Sequence, residues 1–210
     1  FISPDVCYAP VYVWVWNDIC TREIIDVQIS EMQDLGIRAF YILPEPKEFR
    51  PDSMPTNLTP DYLSAEYFEL CAYAVKKGKS LGMNCWIYDE GGWPSGSACG
   101  RVLKDHPEYK QQILKTYERP FSAGDIYRKS TPNTLAAFLG NNEIIEEDYI
   151  FPEDTLVTEY VTEKEDCDYP DLLNKNATEY FIELTHEKYA SAFKGLLGKI
   201  VTAVFTDEPK

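Results

Sequence analysis

Four short runs of β-branched, aromatic and aliphatic residues, separated by segments with helical periodicity, restrict this chain more than any other feature. Val11 to Trp16 reads Val-Tyr-Val-Trp-Val-Trp, and Ala39–Leu43, Met83–Tyr88 and Ile200–Phe205 are its counterparts. A run without apolar–polar alternation predicts a strand covered on both faces, the usual state of a parallel strand. After the first run Thr21 supplies a helix cap, Glu23 sits in the first turn, and Ile25, Ile29 and Met32 share one face before Gly36 stops the helix. Ser64 caps a second helix whose inner face is Phe68, Cys71, Ala72 and Val75, and Gly82 ends it. This alternation predicts βαβ units in an α/β fold, with the four strands parallel and adjacent in chain order.

The regularity breaks after the third run. Pro120, Gly124, Pro132, Gly140-Asn141-Asn142 and Pro152 punctuate the β-like runs Leu135–Leu139, Glu143–Ile150 and Leu156–Val161. Turn signals at this density predict a small antiparallel β insertion. The parallel pattern resumes at Asn176, which with Glu179 has the form of a capping box, and Ile182, Thr185, Tyr189, Phe193 and Leu196 share one helix face. The expected organisation is 1–112 for the first three βα units, 113–165 for the insertion and 166–210 for the fourth helix and strand.

Composition narrows the partners. A net charge of −15 argues against nucleic acid and against an anionic membrane. The six cysteines form no CxxC pair, and Cys71 and Cys85 fall on apolar faces where a thiol acts as a small hydrophobe. Read as reduced, and with no signal segment in view, they favour a cytoplasmic or anaerobic setting over a secreted one. The sequons at Asn57 and Asn176 are too common a pattern to outweigh that. No pattern in the chain sets an oligomeric state.

In parallel α/β folds ligands lie beyond the carboxyl ends of the strands. Those ends carry Trp16-Asn17-Asp18, Pro44-Glu45, Asp89-Glu90 with Trp93, and Asp207-Glu208. Carboxylates hydrogen-bond hydroxyl groups or move protons, and an indole covers the apolar face of a pyranose. The candidate catalytic residue is Glu208, and the candidate sugar-binding residues are Trp16, Asn17, Glu45, Asp89, Glu90, Trp93 and Asp207. Structural roles stay open beside these: Asp18 tying the turn before Thr21, Asp89 bracing Gly91-Gly92, Asp207 holding a backbone N–H and orienting Glu208. The two histidines, His106 and His186, read as structural, which disfavours a Ser-His-Asp hydrolase. No phosphate loop and no zinc-spaced Cys/His set is present.

Tyr88-Asp89-Glu90-Gly91-Gly92-Trp93-Pro94-Ser95-Gly96 resembles a motif of bacterial glycoside hydrolases related to the α-L-rhamnosidases of family 106. Tyr12 to Asn17 resembles that family's first barrel strand. Phe181 to Tyr189, followed by Phe205-Thr206-Asp207-Glu208-Pro209, resembles its fourth helix and strand end. The resemblance implies the first half of a (β/α)₈ barrel, an inverting glycosidase and a calcium ion near the sugar hydroxyls, with ligands that it does not assign. It also implies that Glu208 protonates the leaving oxygen while the base comes from beyond Lys210, so that this piece alone is inactive. Two rivals stand beside it. A retaining glycosidase of another barrel family would bring its carboxyl groups to about 5–5.5 Å, against 6.5–9.5 Å for inversion. A non-catalytic carbohydrate-binding fragment would instead use Trp16, Trp93 and nearby tyrosines as platforms.

Overall fold

The computed structural model describes residues 6–140 and 143–210; the turn expected at Asn141-Asn142 lies outside them. The chain forms two compact units. One comprises the chain up to Tyr109 together with Tyr169–Lys210, the other Lys110–Asp168.

The first unit holds a parallel sheet. Its strands are β1 (Tyr12–Trp16), β2 (Ala39–Pro44) and β3 (Asn84–Tyr88), joined by α1 (Arg22–Asp34) and α2 (Ala65–Ser80). A short α3 (Arg101–Asp105) follows β3. The strand that completes the sheet, numbered β8 in chain order (Val201–Phe205), pairs with β3, giving the order β1-β2-β3-β8. Thr21 and Ser64 cap α1 and α2 by accepting from the N–H groups of Ile24 and Tyr67. Each cap satisfies one of the donors that a helix start leaves without a partner. Ile25 and Ile29 of α1 and Phe68, Cys71, Ala72 and Val75 of α2 are buried against Trp14, Trp16, Phe40, Ile42, Cys85 and Ile87. Each large apolar side chain so buried contributes about 1.5–3 kcal/mol. A Cβ at Gly78 would lie 2.9 Å from the Phe40 ring, so this glycine lets α2 sit close on the sheet.

Strand β1 differs from its sequence reading. Val13 and Val15 are 49% and 40% exposed, while Trp14 and Trp16 are buried, so one face is covered and the other is open. Composition favours a strand here, but only a neighbouring layer decides whether its second face is covered. The long helix expected from Asn176 is two segments, α4 (Lys175–Leu184) and α5 (His186–Ala192). They meet at Thr185, whose Oγ1 and backbone N–H both donate to the Phe181 carbonyl. Such back-bonding bends helices. The cap is Asn174, which accepts from the Asn176 N–H, and Ile182 is exposed while Phe181 takes the buried position.

The second unit is an antiparallel sheet. It contains β4 (Gln112–Phe121), β5 (Thr134–Leu139), β6 (Ile144–Ile145) and β7 (Thr155–Lys164), in the order β4-β7-β5-β6. The run expected over 143–150 contributes only β6, and β4 is longer than any run read there. Strand β4 is rich in charged and polar residues yet pairs with β7 over its whole length, and it carries Pro120, which an edge strand tolerates. A small core of Tyr127, Ala137, Ile145, Phe151 and Val157 supports this sheet.

Candidate functional site at the carboxyl end of the parallel sheet

Side chains alternate across β3: Cys85 and Ile87 enter the helix-side core, while Tyr88 lies on the opposite face, stacked with Tyr41 of β2 and Phe205 of β8. The Tyr88 hydroxyl donates to Asp207 Oδ2 at 2.8 Å. Burial, and then this bond to a carboxylate, pushes the Tyr88 hydroxyl far above its ordinary pKa. Two strands away, Asn17 Nδ2 donates to Glu45 Oε2 at 3.3 Å, and the Glu45 backbone N–H bonds the Trp16 carbonyl. Asn17, Glu45 and Asp207 therefore stand at the ends of β1, β2 and β8. Glu208 is exposed and follows Asp207 with φ +45°, a left-handed conformation unusual for glutamate.

Four other expected residues have different surroundings. Trp16 is in the helix-side core, edge-on to Trp14 and Tyr67, so it presents no surface to a sugar. Glu90 organises the loop that follows β3. Its Oε2 accepts from the backbone N–H groups of Gly96, Ser97 and Ala98 and from the Ser97 hydroxyl, and its Oε1 accepts from those of Gly91 and Cys99. Burial pushes the Glu90 carboxyl up to about 7, opposed by those backbone donors. With both oxygens so engaged, Glu90 is a loop-holding group rather than a sugar ligand. Trp93 packs on Phe49, with ring centroids 4.7 Å apart, and the Arg50 guanidinium lies over its ring at 4.7 Å. That arrangement withdraws much of Trp93 from service as a stacking platform.

Asp89 turns to the helix side. It is 1% exposed, accepts from the Ser95 hydroxyl at 2.6 Å and the Thr206 hydroxyl at 2.7 Å, and lies 3.4 Å from His186 Nε2. These groups form one end of a cavity of about 370 Å³ whose other walls include Leu172, Phe181 and Ile182. Sequence reasoning missed the place of His186 beside a buried carboxylate; its signal is the Thr185-His186 step, where the helix bends. The Ser95 hydroxyl donates to Asp89 rather than to His186, so among the described residues these two do not form a hydrogen-bonded serine–histidine pair.

The loop from Asp89 to Ser97 is tied down on both sides. The Gly92 N–H donates to the Pro44 carbonyl at 2.7 Å, and the Ser95 N–H donates to the Asp207 carbonyl at 2.7 Å. Gly92 has φ +76°, and a Cβ there would run into the Phe49 ring, so this position requires glycine twice over.

Among the described residues no group of three or more His, Cys, Asp or Glu side chains is placed to hold a metal ion. Asp89 and Glu90 already receive hydrogen-bond donors on both oxygens. The residues present do not by themselves compose the calcium centre that the resemblance implies. Among the described residues no helix is long and apolar enough to cross a membrane.

No family model matches the sequence, and no curated protein matches it. Among solved structures the chain is similar to a rhamnosidase from Novosphingobium sp. PP1Y, at 14% identity and a TM-score of 0.40, over 68% of this chain. The match spans 16% of that structure's chain.

Proposed function

We propose that this chain supplies the acid-bearing part of a glycosidase that cleaves an α-L-rhamnoside or a similar glycoside with inversion. The observation that carries the reading is the carboxyl end of the parallel sheet. There Glu45 follows β2, Asp207 and Glu208 follow β8, and Asn17 and the Tyr88 hydroxyl bond the first two acids. The motif resemblance adds the assignment of Glu208 as the group that gives its proton to the leaving oxygen. Asn17, Glu45 and Asp207 would hydrogen-bond sugar hydroxyls. The base that takes a proton from the attacking water would come from residues beyond Lys210, completing a (β/α)₈ barrel. Trp16, buried, and Trp93, covered by Arg50 and Phe49, make the purely sugar-binding alternative the weaker one.

The test uses the complete protein that contains this sequence. Glu208→Gln should lower turnover of a natural glycoside by roughly 10²–10⁴-fold, the usual worth of general acid catalysis. A nitrophenyl glycoside, whose leaving group needs little protonation, should lose far less. Near-wild-type turnover of the natural glycoside would remove Glu208 from the mechanism. The anomeric configuration of the first product, read by NMR, separates inversion from retention.

A further inference from the structure

Glu208 sits in a backbone conformation that a non-glycine residue holds only when its surroundings impose it, and those surroundings are visible. All three polar groups of Ser95 are used around it. The Ser95 N–H donates to the Asp207 carbonyl at 2.7 Å, and the Asp207 N–H donates back to Ser95 Oγ at 2.8 Å. The Ser95 carbonyl accepts from the Tyr169 hydroxyl, whose oxygen in turn accepts from the Lys210 N–H at 3.1 Å. Glu208 is thus bracketed, with Asp207 held on one side and Lys210 on the other, by one buried serine and one buried tyrosine. Asp89 sets the direction of the serine hydroxyl. By taking its proton on Oδ1 at 2.6 Å, it leaves a lone pair of Ser95 Oγ facing the Asp207 N–H. Thr206, the residue before Asp207, donates to the other oxygen of the same carboxylate at 2.7 Å.

We propose that Asp89, Ser95 and Tyr169 are positioning residues for Glu208: they touch no substrate, and they fix the left-handed turn that aims the acid. The proposal rests on the reading of Glu208 as general acid, and it replaces the sugar-binding role expected of Asp89. The design has a physical rationale. A proton donor must meet the leaving oxygen within hydrogen-bond reach, and an error of about 1 Å can cost 10²-fold. An exposed glutamate in an unsupported turn would sample many directions. A turn tied at both ends to buried groups samples few.

Two variants of the complete protein test this, with Ser95→Thr as the conservative control. Ser95→Ala removes the acceptor of the Asp207 N–H, and Tyr169→Phe removes the hydroxyl that joins Ser95 to Lys210 with little change of shape. Each should lower kcat for a natural glycoside by roughly 10–100-fold while KM stays within about 3-fold, a pattern expected when only the transition state is affected. The loss should be much smaller for a nitrophenyl glycoside, and Ser95→Thr, which keeps the hydroxyl, should recover most of it. Placed in a Glu208→Gln background, Ser95→Ala should add almost nothing, because both changes act through one group. Equal losses on both substrates, or a full further loss in the Glu208→Gln background, would overturn the positioning role. Amide hydrogen exchange gives a readout independent of activity. Exchange at Asp207 should quicken in Ser95→Ala, and exchange at Lys210 should quicken in Tyr169→Phe. Unchanged exchange would overturn the bracket itself. Quickened exchange in a protein that cleaves no glycoside would leave the bracket standing and overturn its role in positioning an acid, together with the glycosidase reading.

Discussion

Among the described residues two glutamates are fully buried, one in each unit, and they are held in opposite ways. Glu90, after β3, is surrounded by backbone N–H groups of its own loop rather than by a cation. Glu159, in the middle of β7, takes the Arg119 guanidinium at 2.8 Å, the Tyr127 hydroxyl at 2.7 Å and the Ser130 N–H at 3.1 Å, all on Oε1. Burial raises both carboxyl groups. For Glu159 the bonds from Ser130, Tyr127 and Arg119 outweigh it and leave the group below its ordinary value, whereas Glu90 stays above. Hydrogen bonds from Ser130 and Tyr127, with the Arg119 guanidinium adding to them, more than offset burial at Glu159, whereas the peptide donors around Glu90 do not offset the burial there. One glutamate organises a loop, and the other pins two strands through an ion pair.

The largest expected effect that tests this contrast is Glu90→Ala. It strands five backbone donors in a buried loop and should destabilise the first unit by more than about 3 kcal/mol, read from a urea melt. A cost below about 1 kcal/mol would mean that the ties to Pro44 and Asp207 hold the loop unaided.

Next comes pH. The folded Glu90 carboxyl, at about 7, lies above its ordinary 4.5. The stability this group contributes is therefore fully present below about pH 4.5 and is lost as pH rises through 7. Its full size is about 3 kcal/mol, because a tenfold change in proton affinity corresponds to roughly 1.4 kcal/mol. Glu159 has the opposite sign: its contribution is present above the ordinary glutamate range and is lost as pH falls below it. Subtracting the melt profile of Glu90→Gln from that of the wild type should leave a falling slope between about pH 5 and 7. The same subtraction with Glu159→Gln should leave a rising one at lower pH. Two slopes of equal sign would break the comparison.

The smallest effect is Glu159→Gln at neutral pH. Its amide oxygen can still accept on the Oε1 side, so the loss is mainly charge assistance to Arg119, about 1–2 kcal/mol. A larger cost would show that the second buried oxygen, which has no hydrogen-bond partner among the described residues, matters more than its surroundings indicate.

The contrast also explains what could be read in advance. Caps and apolar spacing are local properties, so Thr21, Ser64 and the faces of α1 and α2 were legible, as was the order of the four parallel strands. The site was legible only as a region. Glu90 reads as a solvent-facing acid because its donors lie in the nine residues that follow it, and their convergence depends on turns at Gly91, Gly92 and Gly96. Trp16 reads as a sugar platform because sequence shows that it belongs to a strand but not which face of the sheet it takes. Strand β4 was hidden by its charges, since edge strands need little apolar content. The bend at Thr185, which brings His186 to Asp89, interrupts an apolar repeat that runs on smoothly through Tyr189 and Phe193.

The antiparallel unit departs from and returns to the parallel one at neighbouring points. Gln112 pairs with Lys164 at the root of the β4–β7 ribbon, Gln111 bonds Glu165, and the Asp171 N–H reaches the Tyr109 carbonyl at 2.7 Å. For a folding chain this changes the cost of joining β3 to β8. Zipping the ribbon at its stem takes Lys110–Asp168 out of the loop that must close between them, and the ordering of its interior is offset by contacts made locally. The ribbon can therefore lengthen, shorten or change its tip with little effect on how fast the four parallel strands find one another.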